Sequence, residues 1–318
     1  MIRIGIVGYG NLGKAAEKCV NDMQDMELVA VFSRREIKCA TVPVYSYEQL
    51  LKRKIELDVL LLCLGSATDI PEYAPRLAKL YNTVDVYDNH GKLPEYRAEM
   101  NNIAKENRHS SIVAVGWDPG LFSLQRTMAS AILPKSIPTT FWGSGVSQGH
   151  TDAIKRIPGV EQAVQYTVPK PEALDAIVSG KSCDIPATSR HYRQCYVVCD
   201  ERECSRIEET ITTMPDYFAD YDTRVEFITK EEFVKHSEAM PHGGQVISAD
   251  FSTNAPQIYK FELELGSNPA FTASVMVAYA RAAHSLWKNE DYGAKTILEI
   301  PPCLISPMSI EDMVNNYL

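Results

Sequence analysis

The first 35 residues constrain the fold more than any other part of the chain. An apolar run at residues 1–8, MIRIGIVG, predicts a buried β-strand. It leads directly into Gly-x-Gly-x-x-Gly at residues 8–13, and the KAAEKCV that follows has apolar residues at helical spacing. Strand, glycine motif and helix in this order are typical of a dinucleotide-binding unit. Gly8 permits the tight turn, Gly10 lets the backbone approach a pyrophosphate, and Gly13 allows close helix–strand packing. The helix N-terminus would then offer N–H groups to the phosphates.

The end of the second predicted strand indicates which dinucleotide is bound. LVAVF at residues 28–32 predicts this strand, and Ser33, Arg34 and Arg35 follow it directly. In an NAD site, an Asp or Glu here hydrogen-bonds the ribose 2′-OH, and such a carboxylate would repel a 2′-phosphate. A guanidinium instead binds phosphate through a planar fork of donors. Two arginines in isolation would be interpreted as solvated surface charge, but beside the glycine motif they predict NADP(H).

Strands and helices alternate through the first part of the chain. The run DVLLLCL at 58–64 is continuously apolar, as in a parallel strand covered on both faces. This alternation predicts an α/β fold, with a Rossmann-type doubly wound parallel sheet in a dinucleotide-binding domain of residues 1–119. Further strands are predicted at 43–45, 83–87 and 111–115, and helices at 47–53, from 69 onward and at 94–107.

Ligands of such sheets bind beyond the carboxyl ends of the strands, where the strand order reverses. Topology therefore predicts that the residues at these ends form one crevice. They are Gly8, Gly10, Asn11, Leu12, Gly13, Ser33, Arg34, Arg35, Cys63, Leu64, Gly65, Ser66, Tyr87, Asp88, Val115, Gly116, Trp117, Asp118 and Pro119.

The pattern changes at about residue 120. Strand signals then follow one another without regular crossovers, which favours an α+β domain with a mixed or antiparallel sheet in residues 120–269. The pattern leaves open whether the segment from about 270 to 318 returns to the first domain. Strands are predicted at 139–142, 165–168, 193–198, 224–228, 244–248 and 257–264, helices at 121–133, 203–213 and 272–287, and a glycine-rich loop at 143–150.

Length, composition and charge exclude several classes of protein. A chain of 318 residues is long for one core, and its 45% hydrophobic and 23% charged residues are ordinary globular values. Without a bilayer-length apolar run or a leader-like N-terminus, we expect a cytoplasmic protein with no membrane contact. The net charge of −9 argues against a nucleic-acid partner, because phosphate contacts need a basic face. The eight cysteines have neither zinc-site nor secreted-disulfide spacing, so we expect reduced thiols and no metal.

A competing motif lies in the second domain. Residues 145–149, GVSQG, match the Gly-x-Ser-x-Gly of a hydrolase nucleophile elbow, with Ser147 as nucleophile and His242 as candidate base. The His-Gly-Gly at 242–244 follows the serine, however, whereas an oxyanion segment of that type precedes it. The dinucleotide motif also accounts already for the N-terminal sheet. A glycine loop whose N–H groups receive a carboxylate is therefore the favoured interpretation.

Four polar residues are candidates for a substrate pocket. Asp88 and Asp118 follow strands on the crevice rim, where an isolated aspartate would more often cap a loop or helix. Two on one rim, with aromatic residues nearby, favour a pocket that holds an ammonium group. Arg193 begins an apolar strand and His242 lies in a turn. A charge at a strand edge and a lone loop histidine are the alternatives.

These residues stand in strings that together cover nearly the whole chain. They are GYGNLG at 8–13, FSRR at 32–35, CLGSATDIPE at 63–72, YDNH at 87–90, GWDPG at 116–120, FWG at 141–143, SQGH at 147–150, RIPGV at 156–160, QYT at 165–167, TMPDYF at 213–218, MPHGG at 240–244 and NPAFTAS at 268–274. In these strings the chain closely resembles the meso-diaminopimelate D-dehydrogenase family, NADP-dependent enzymes of bacterial lysine biosynthesis.

The resemblance implies a homodimer that oxidatively and reversibly deaminates the D-centre of meso-2,6-diaminopimelate to L-2-amino-6-oxopimelate, ammonia and NADPH. It implies that residues 120–269 bind substrate and dimerise. Asp88 and Asp118 would orient the reacting amine, with Asp118 as the hypothesised base, and Arg193 would clamp the distal carboxylate. The family's cofactor contacts fall on the crevice residues, with the addition of Val86. Its substrate residues fall on Asp88, Asp118, Trp142, Gln148, Gly149, Thr167, Arg193, His242 and Asn268.

Two other functions are alternatives. A dihydrodipicolinate reductase also joins a dinucleotide domain to a mixed-sheet domain, but the basic substrate-site signature of that family is missing from this sequence. A redox sensor that binds NADPH without turnover would need the glycine motif but no second polar pocket. Reduction of NADP+ by meso-diaminopimelate would separate the three.

Overall fold

The computed structural model describes residues 1–38, 40–52, 55–181, 184–215, 217–237 and 242–318. Two units divide the chain: Met1–Leu124 with Pro269–Leu318 form the first, and Gln125–Asn268 form the second. Parts of several predictions lie outside the described residues. These parts are Cys39 and Cys183 among the thiols, Arg53 at the end of a predicted helix, and Asp216, Met240 and Pro241 in the quoted strings.

In the first unit, short strands alternate with helices. The predicted strands at 83–87 and 111–115 are shorter than expected and begin one residue earlier, because their last residues already turn away as loops. The elements are β1 (Ile2–Val7), α1 (Asn11–Asn21), β2 (Met26–Phe32), β3 (Val44–Tyr45), α2 (Tyr47–Leu51), β4 (Val59–Leu62), α3 (Asp69–Leu77), β5 (Asn82–Asp85), α4 (Leu93–Glu106), β6 (Ser110–Ile112) and α5 (Leu121–Ile132), which continues into the second unit.

The second unit is richer in strands. Its elements are β7 (Thr139–Trp142), β8 (Gly145–Val146), α6 (Gln148–Lys155), β9 (Val160–Pro169), α7 (Pro171–Val178), α8 (Ala187–Arg190), β10 (His191–Cys199), α9 (Cys204–Thr212), β11 (Asp222–Phe227), α10 (Lys230–Ser237), β12 (His242–Asp250) and β13 (Gln257–Leu265). The chain ends with α11 (Asn268–Lys288), β14 (Gly293–Lys295) and α12 (Ile310–Tyr317).

Seven parallel strands form the sheet of the first unit, in the order β14-β6-β5-β4-β1-β2-β3. The chain runs outward from β1 to β3 and then returns to place β4 on the other side of β1, so the strand order reverses beside β1. The carboxyl ends of β1, β2 and β4 therefore meet at this reversal, where ligands of such sheets bind. The predicted Rossmann-type fold is confirmed.

Both faces of this sheet are buried, which explains the continuous apolar strands. In β4, Val59 and Leu61 point into one core and Leu60 and Leu62 into the other, and all four are fully buried. Side chains of α11 complete the first of these cores. The C-terminal segment therefore belongs to the core of the first unit.

The described residues of the second unit form two smaller sheets. In the order β11-β10-β9-β8, β10 pairs with β11 in parallel and with β9 antiparallel, while β13-β12-β7 is antiparallel throughout. This confirms the predicted α+β type with mixed and antiparallel pairing. The predicted loop at 143–150 is wrong in part, because it contains β8 and the first turn of α6. A two-residue edge strand is too short to show alternation in the sequence.

Among the described residues, no helix combines the length and apolar character that crossing a bilayer requires.

Candidate active site

The glycine motif has the geometry that its sequence predicts. Gly8 has φ +92°, and a Cβ there would lie 2.3 Å from the carbonyl oxygen of Cys63. A Cβ on Gly13 would lie 2.2 Å from the carbonyl oxygen of Gly8, so only glycine lets α1 approach β1 this closely. Around Gly10, by contrast, no atom of the described residues lies within 4 Å of a built Cβ. Gly10 is also the N-cap of α1, without a side-chain cap, so the helix N-terminus is open to an anion.

A cavity of about 400 Å³ adjoins this motif. The guanidinium carbon of Arg34 lies 5.9 Å from the ring centroids of both Tyr47 and Tyr73, and Arg34 pairs with Asp69 at 2.7 Å. The cavity joins open backbone at the motif to cationic side chains at the end of β2, which suits the phosphates of a dinucleotide. Its lining consists of Gly8, Tyr9, Gly10, Ser33, Arg34, Arg35, Tyr47, Cys63, Leu64, Gly65 and Asp69.

The crevice rim continues over the ends of β4, β5 and β6. The Ser66 hydroxyl accepts a hydrogen bond from the Asp88 backbone N–H at 2.8 Å, which joins two of the predicted segments. The Asp88 side chain is exposed and that of Asp118 is half-buried. Val86 is half-buried, and the ring of Trp117 packs edge-on against Phe122 at 5.4 Å. These predicted residues therefore lie along the carboxyl ends of adjacent strands.

Asp85, which the sequence reasoning did not single out, organises this rim. Its fully buried carboxylate accepts hydrogen bonds from the Tyr96 hydroxyl at 2.6 Å and from the backbone N–H groups of Tyr87 and Ala114 at 3.0 and 3.1 Å. Burial raises the pKa of Asp85. One carboxyl group thus ties the end of β5 to the turn after β6. The sequence signal that could have identified Asp85 was a polar residue within a predicted apolar strand.

Glu17 is a second buried carboxylate that the sequence reasoning missed. It accepts hydrogen bonds from the Tyr9 hydroxyl and from the backbone N–H and hydroxyl of Thr41, the latter two at 2.6 Å. Tyr9 belongs to the glycine motif, and Thr41 follows the segment that carries the arginine pair. Glu17 therefore connects the two parts of the candidate phosphate site.

In the second unit, Arg193 and Thr167 form one site. They are direct partners on β10 and β9, and Nη1 of Arg193 donates a hydrogen bond to the Thr167 hydroxyl. Tyr221, which was not predicted, lies with its ring centroid 4.0 Å from the guanidinium carbon. Arg193 is only 8% exposed, and burial lowers its pKa. Among the described residues no carboxylate pairs with it, so the site holds a desolvated cation that suits an anionic ligand.

Gly143 contacts both β9, which carries Thr167, and β12, which begins at His242. A Cβ on Gly143 would lie 2.0 Å from the carbonyl oxygen of Thr167, and its backbone N–H donates to the Gly243 carbonyl at 2.9 Å. Trp142 precedes it at the end of β7, and His242 precedes Gly243 at the start of β12. His242 also lines a cavity of about 520 Å³ together with Gly143. Asn268, the last residue of this unit, begins α11.

The segment that matched a hydrolase elbow is a helix N-terminus. Gln148 and Gly149 begin α6, and a Cβ on Gly149 would meet no atom of the described part of the chain within 4 Å. The Ser147 hydroxyl lies 2.7 Å from Nδ1 of His150, a partner that the sequence reasoning did not predict. Burial, and to a smaller extent the charge of Arg193, lowers the pKa of His150 to about 4. So weak a base is poorly matched to activating serine at neutral pH, which argues against a hydrolase.

Gln165 is another unpredicted polar residue of the sheet face that carries Arg193. It is fully buried, and among the described residues neither its amide oxygen nor its amide nitrogen has a hydrogen-bond partner. Its strand partner is Cys195, two residues from Arg193 on the same face of β10. A buried amide without partners costs free energy, so this group calls for an explanation such as a bound water or ligand.

Comparisons with known proteins agree on one family, and the relatives match over the full chain. A family model described as the diaminopimelic acid dehydrogenase C-terminal domain matches residues 116–267. Relatives named meso-diaminopimelate D-dehydrogenase, from Ureibacillus thermosphaericus and Lysinibacillus sphaericus, are 48% and 46% identical, with 100% of this chain and 99% of each relative covered. A solved Corynebacterium glutamicum DAP dehydrogenase in complex with DAP is 44% identical with a TM-score of 0.91. An engineered D-amino acid dehydrogenase bound to NADP+ is 43% identical with a TM-score of 0.86, and each structure covers 100% of this chain and 99% of its own.

Proposed function

The chain belongs to the meso-diaminopimelate D-dehydrogenase family, and we propose that it catalyses the reversible oxidative deamination of the D-centre of meso-2,6-diaminopimelate. Hydride from Cα of that centre passes to NADP+, water supplies the new oxygen, and the nitrogen leaves as ammonia. The organic product is L-2-amino-6-oxopimelate. This activity serves diaminopimelate and lysine biosynthesis.

The observation that carries the proposal is the buried guanidinium of Arg193. A cation that is 8% exposed, hydrogen-bonded to the neutral Thr167 and stacked on Tyr221, is left with unused donors. Its Nε has no hydrogen-bond partner in the described structure. A carboxylate would compensate both the charge and the donors. The substrate has a carboxylate at each end, so a fixed cation can hold the distal end and select which centre reacts.

The other proposed substrate contacts fall into two groups, one for the distal end of the substrate and one for the reacting end. Thr167, His242 and Asn268 would hold the distal amino-acid end together with Arg193. Gln148 and the N–H of Gly149, at the N-terminus of α6, would receive the carboxylate beside the reacting centre, which the helix dipole favours. Trp142 would line the pocket, and Asp88 and Asp118 would orient the reacting ammonium group. Alignment of the reacting atoms is the main contribution of such contacts.

Cofactor binding is proposed at the crevice of the first unit. Open backbone at Gly10 and the N-terminus of α1 would hold the pyrophosphate, and Arg34 and Arg35 the 2′-phosphate. The amine must lose a proton before Cα can give up hydride, and Asp118 is the proposed proton acceptor. The complete set of proposed cofactor contacts is the predicted crevice set with Val86.

We also propose that the first unit is the dinucleotide-binding domain and that the second binds substrate and forms a homodimer. The proposed location is the cytoplasm.

A direct assay tests the proposal. Purified protein is mixed with NADP+ and meso-diaminopimelate, and the near-ultraviolet absorbance of the reduced cofactor is followed. We expect reduction with the meso isomer and none with the L,L isomer, because only the meso isomer offers a D-centre while its L-centre occupies the Arg193 site. No reduction with the meso isomer, or equal reduction with both, would contradict the proposal.

A further inference from the structure

Arg34, one of the two cations at the candidate phosphate site, already has an anionic partner. Its Nη2 lies 2.7 Å from Oδ2 of Asp69, the first residue of α3. The Asp69 side chain is 22% exposed and that of Arg34 is 54% exposed, and both line the same cavity. A carboxylate and a phosphate that contact the same guanidinium repel each other. The presence of Asp69 in a pocket that would bind phosphate therefore calls for an explanation.

Asp69 is not the only group that contacts the guanidinium of Arg34. The guanidinium carbon lies 5.9 Å from the ring centroids of both Tyr47 and Tyr73, and these rings pack edge to face at 5.2 Å. Cation–π attraction to these two rings also stabilises this position of the guanidinium. Removal of the negative charge by a near-isosteric amide would leave both ring contacts of the cation intact.

The second arginine is not neutralised in this way. Within the described part of the chain Arg35 forms no ion pair, and its backbone N–H donates to the Ser33 hydroxyl at 3.0 Å. Among the described residues that line the cavity, the charged side chains are Arg34, Arg35 and Asp69, which together leave one net positive charge. Loss of Asp69 would double it.

We propose that Asp69 is a specificity-determining residue that competes with the 2′-phosphate for Arg34 and so weakens the binding of NADP(H) relative to NAD(H). This inference rests on the proposed use of NADP. Because NAD(H) has no phosphate at that position, the competition affects only the phosphorylated cofactor. The carboxylate thereby limits how tightly the product NADPH is held after each turnover.

The experiment measures binding of two adenosine fragments, 2′,5′-ADP and 5′-AMP, to the full chain by calorimetry at low ionic strength. It compares the parent protein with the near-isosteric Asp69→Asn. The matched control is Glu72→Gln, which removes the same charge from the first turn of α3 at an exposed residue outside the cavity lining. We expect Asp69→Asn to bind 2′,5′-ADP about tenfold more tightly, since one nearby charge in a partly exposed site has roughly that effect. Its affinity for 5′-AMP should stay within about twofold, and Glu72→Gln should match the parent for both ligands.

Unchanged or weaker binding of 2′,5′-ADP by Asp69→Asn would overturn the inference, because the carboxylate would then help the phosphate site or be irrelevant to it. Asp69→Glu keeps the charge and should retain the parent affinity; tighter binding by this variant would also count against competition by charge. A different result would show that the proposed use of NADP is wrong. In that case the parent protein would bind 2′,5′-ADP no more tightly than 5′-AMP.

Discussion

Arg193 donates a hydrogen bond to the hydroxyl of Thr167, its direct partner across the antiparallel strands β10 and β9. The two residues are 8% and 9% exposed, so the pair lies almost wholly out of water. The ring of Tyr221 supports the guanidinium from one side at 4.0 Å. A cation fixed in this way and left without a carboxylate partner among the described residues is prepared for an anionic ligand.

Replacement of Arg193 by Met should separate substrate binding from stability. We expect KM for meso-diaminopimelate to rise by at least about 30-fold, because loss of a buried charged contact costs about 2 kcal/mol or more. The free energy of unfolding without substrate should be unchanged or higher, since an unpaired buried charge is removed. Steady-state kinetics and urea unfolding measure the two effects.

The control for that substitution is Arg224→Met on the neighbouring strand, where the arginine is 54% exposed and paired with Asp222. It should leave KM unchanged. If Arg193→Met kept the parent KM, the proposed role of Arg193 in binding the distal carboxylate would be wrong.

Asp118→Asn tests the proposed proton acceptor. If the carboxylate takes the proton of the substrate ammonium group, kcat should fall by about 100-fold or more while KM changes little. Asp88→Asn is the comparison, because the exposed Asp88 is proposed to orient the amine and its loss should raise KM. Should Asp118→Asn keep kcat and raise only KM, the residue binds substrate and another group accepts the proton.

Glu17→Gln should destabilise the first unit in a pH-dependent way. Burial alone raises the pKa of Glu17, but the hydrogen bonds from Thr41 and Tyr9 outweigh it and lower the pKa below the ordinary value of 4.5. A lowered folded-state pKa gives stability that is present above the unfolded pKa and lost as the pH falls through the folded one. We expect Glu17→Gln to cost about 1.5–3 kcal/mol at neutral pH. The difference from the parent should shrink below about pH 4.5.

Urea unfolding at neutral and acidic pH measures this effect, with Glu27→Gln, an exposed residue of β2, as the control. A constant difference between Glu17→Gln and the parent at both pH values would show that the hydrogen bonds do not depend on the carboxylate charge.

Tyr96→Phe should weaken the crevice rim. The substitution removes only the hydroxyl that donates to the buried Asp85 at 2.6 Å, so the carboxyl group loses one of its three donors. The expected cost is about 1–3 kcal/mol of unfolding free energy, measured by urea unfolding. Tyr45→Phe, at a half-buried residue of β3, is the control and should stay within about 0.5 kcal/mol. Equal stability of Tyr96→Phe and the parent would mean that water replaces the lost donor.

The parallel sheet could be predicted because its signals are local. Continuous burial of Val59–Leu62 on both faces requires an unbroken apolar run, and the turn at Gly8 with φ +92° requires glycine, so each feature is visible in a few consecutive residues. The edge strand Gly145–Val146 has no such signal, because two residues show no period and their pairing with Thr167 and Tyr166 depends on a distant strand.

By itself, therefore, the sequence determined the sheet, the glycine turn, the arginine pair and the residue types of the candidate substrate site, all through short-range patterns and through strings shared with a family. Only the tertiary structure decided that Tyr221 stacks on Arg193, that Asp85 joins two strand ends, and that Asp69 lies against Arg34. These contacts join residues 28 to 35 positions apart. Their energies depend on burial and on charges brought together by folding, which no local pattern records.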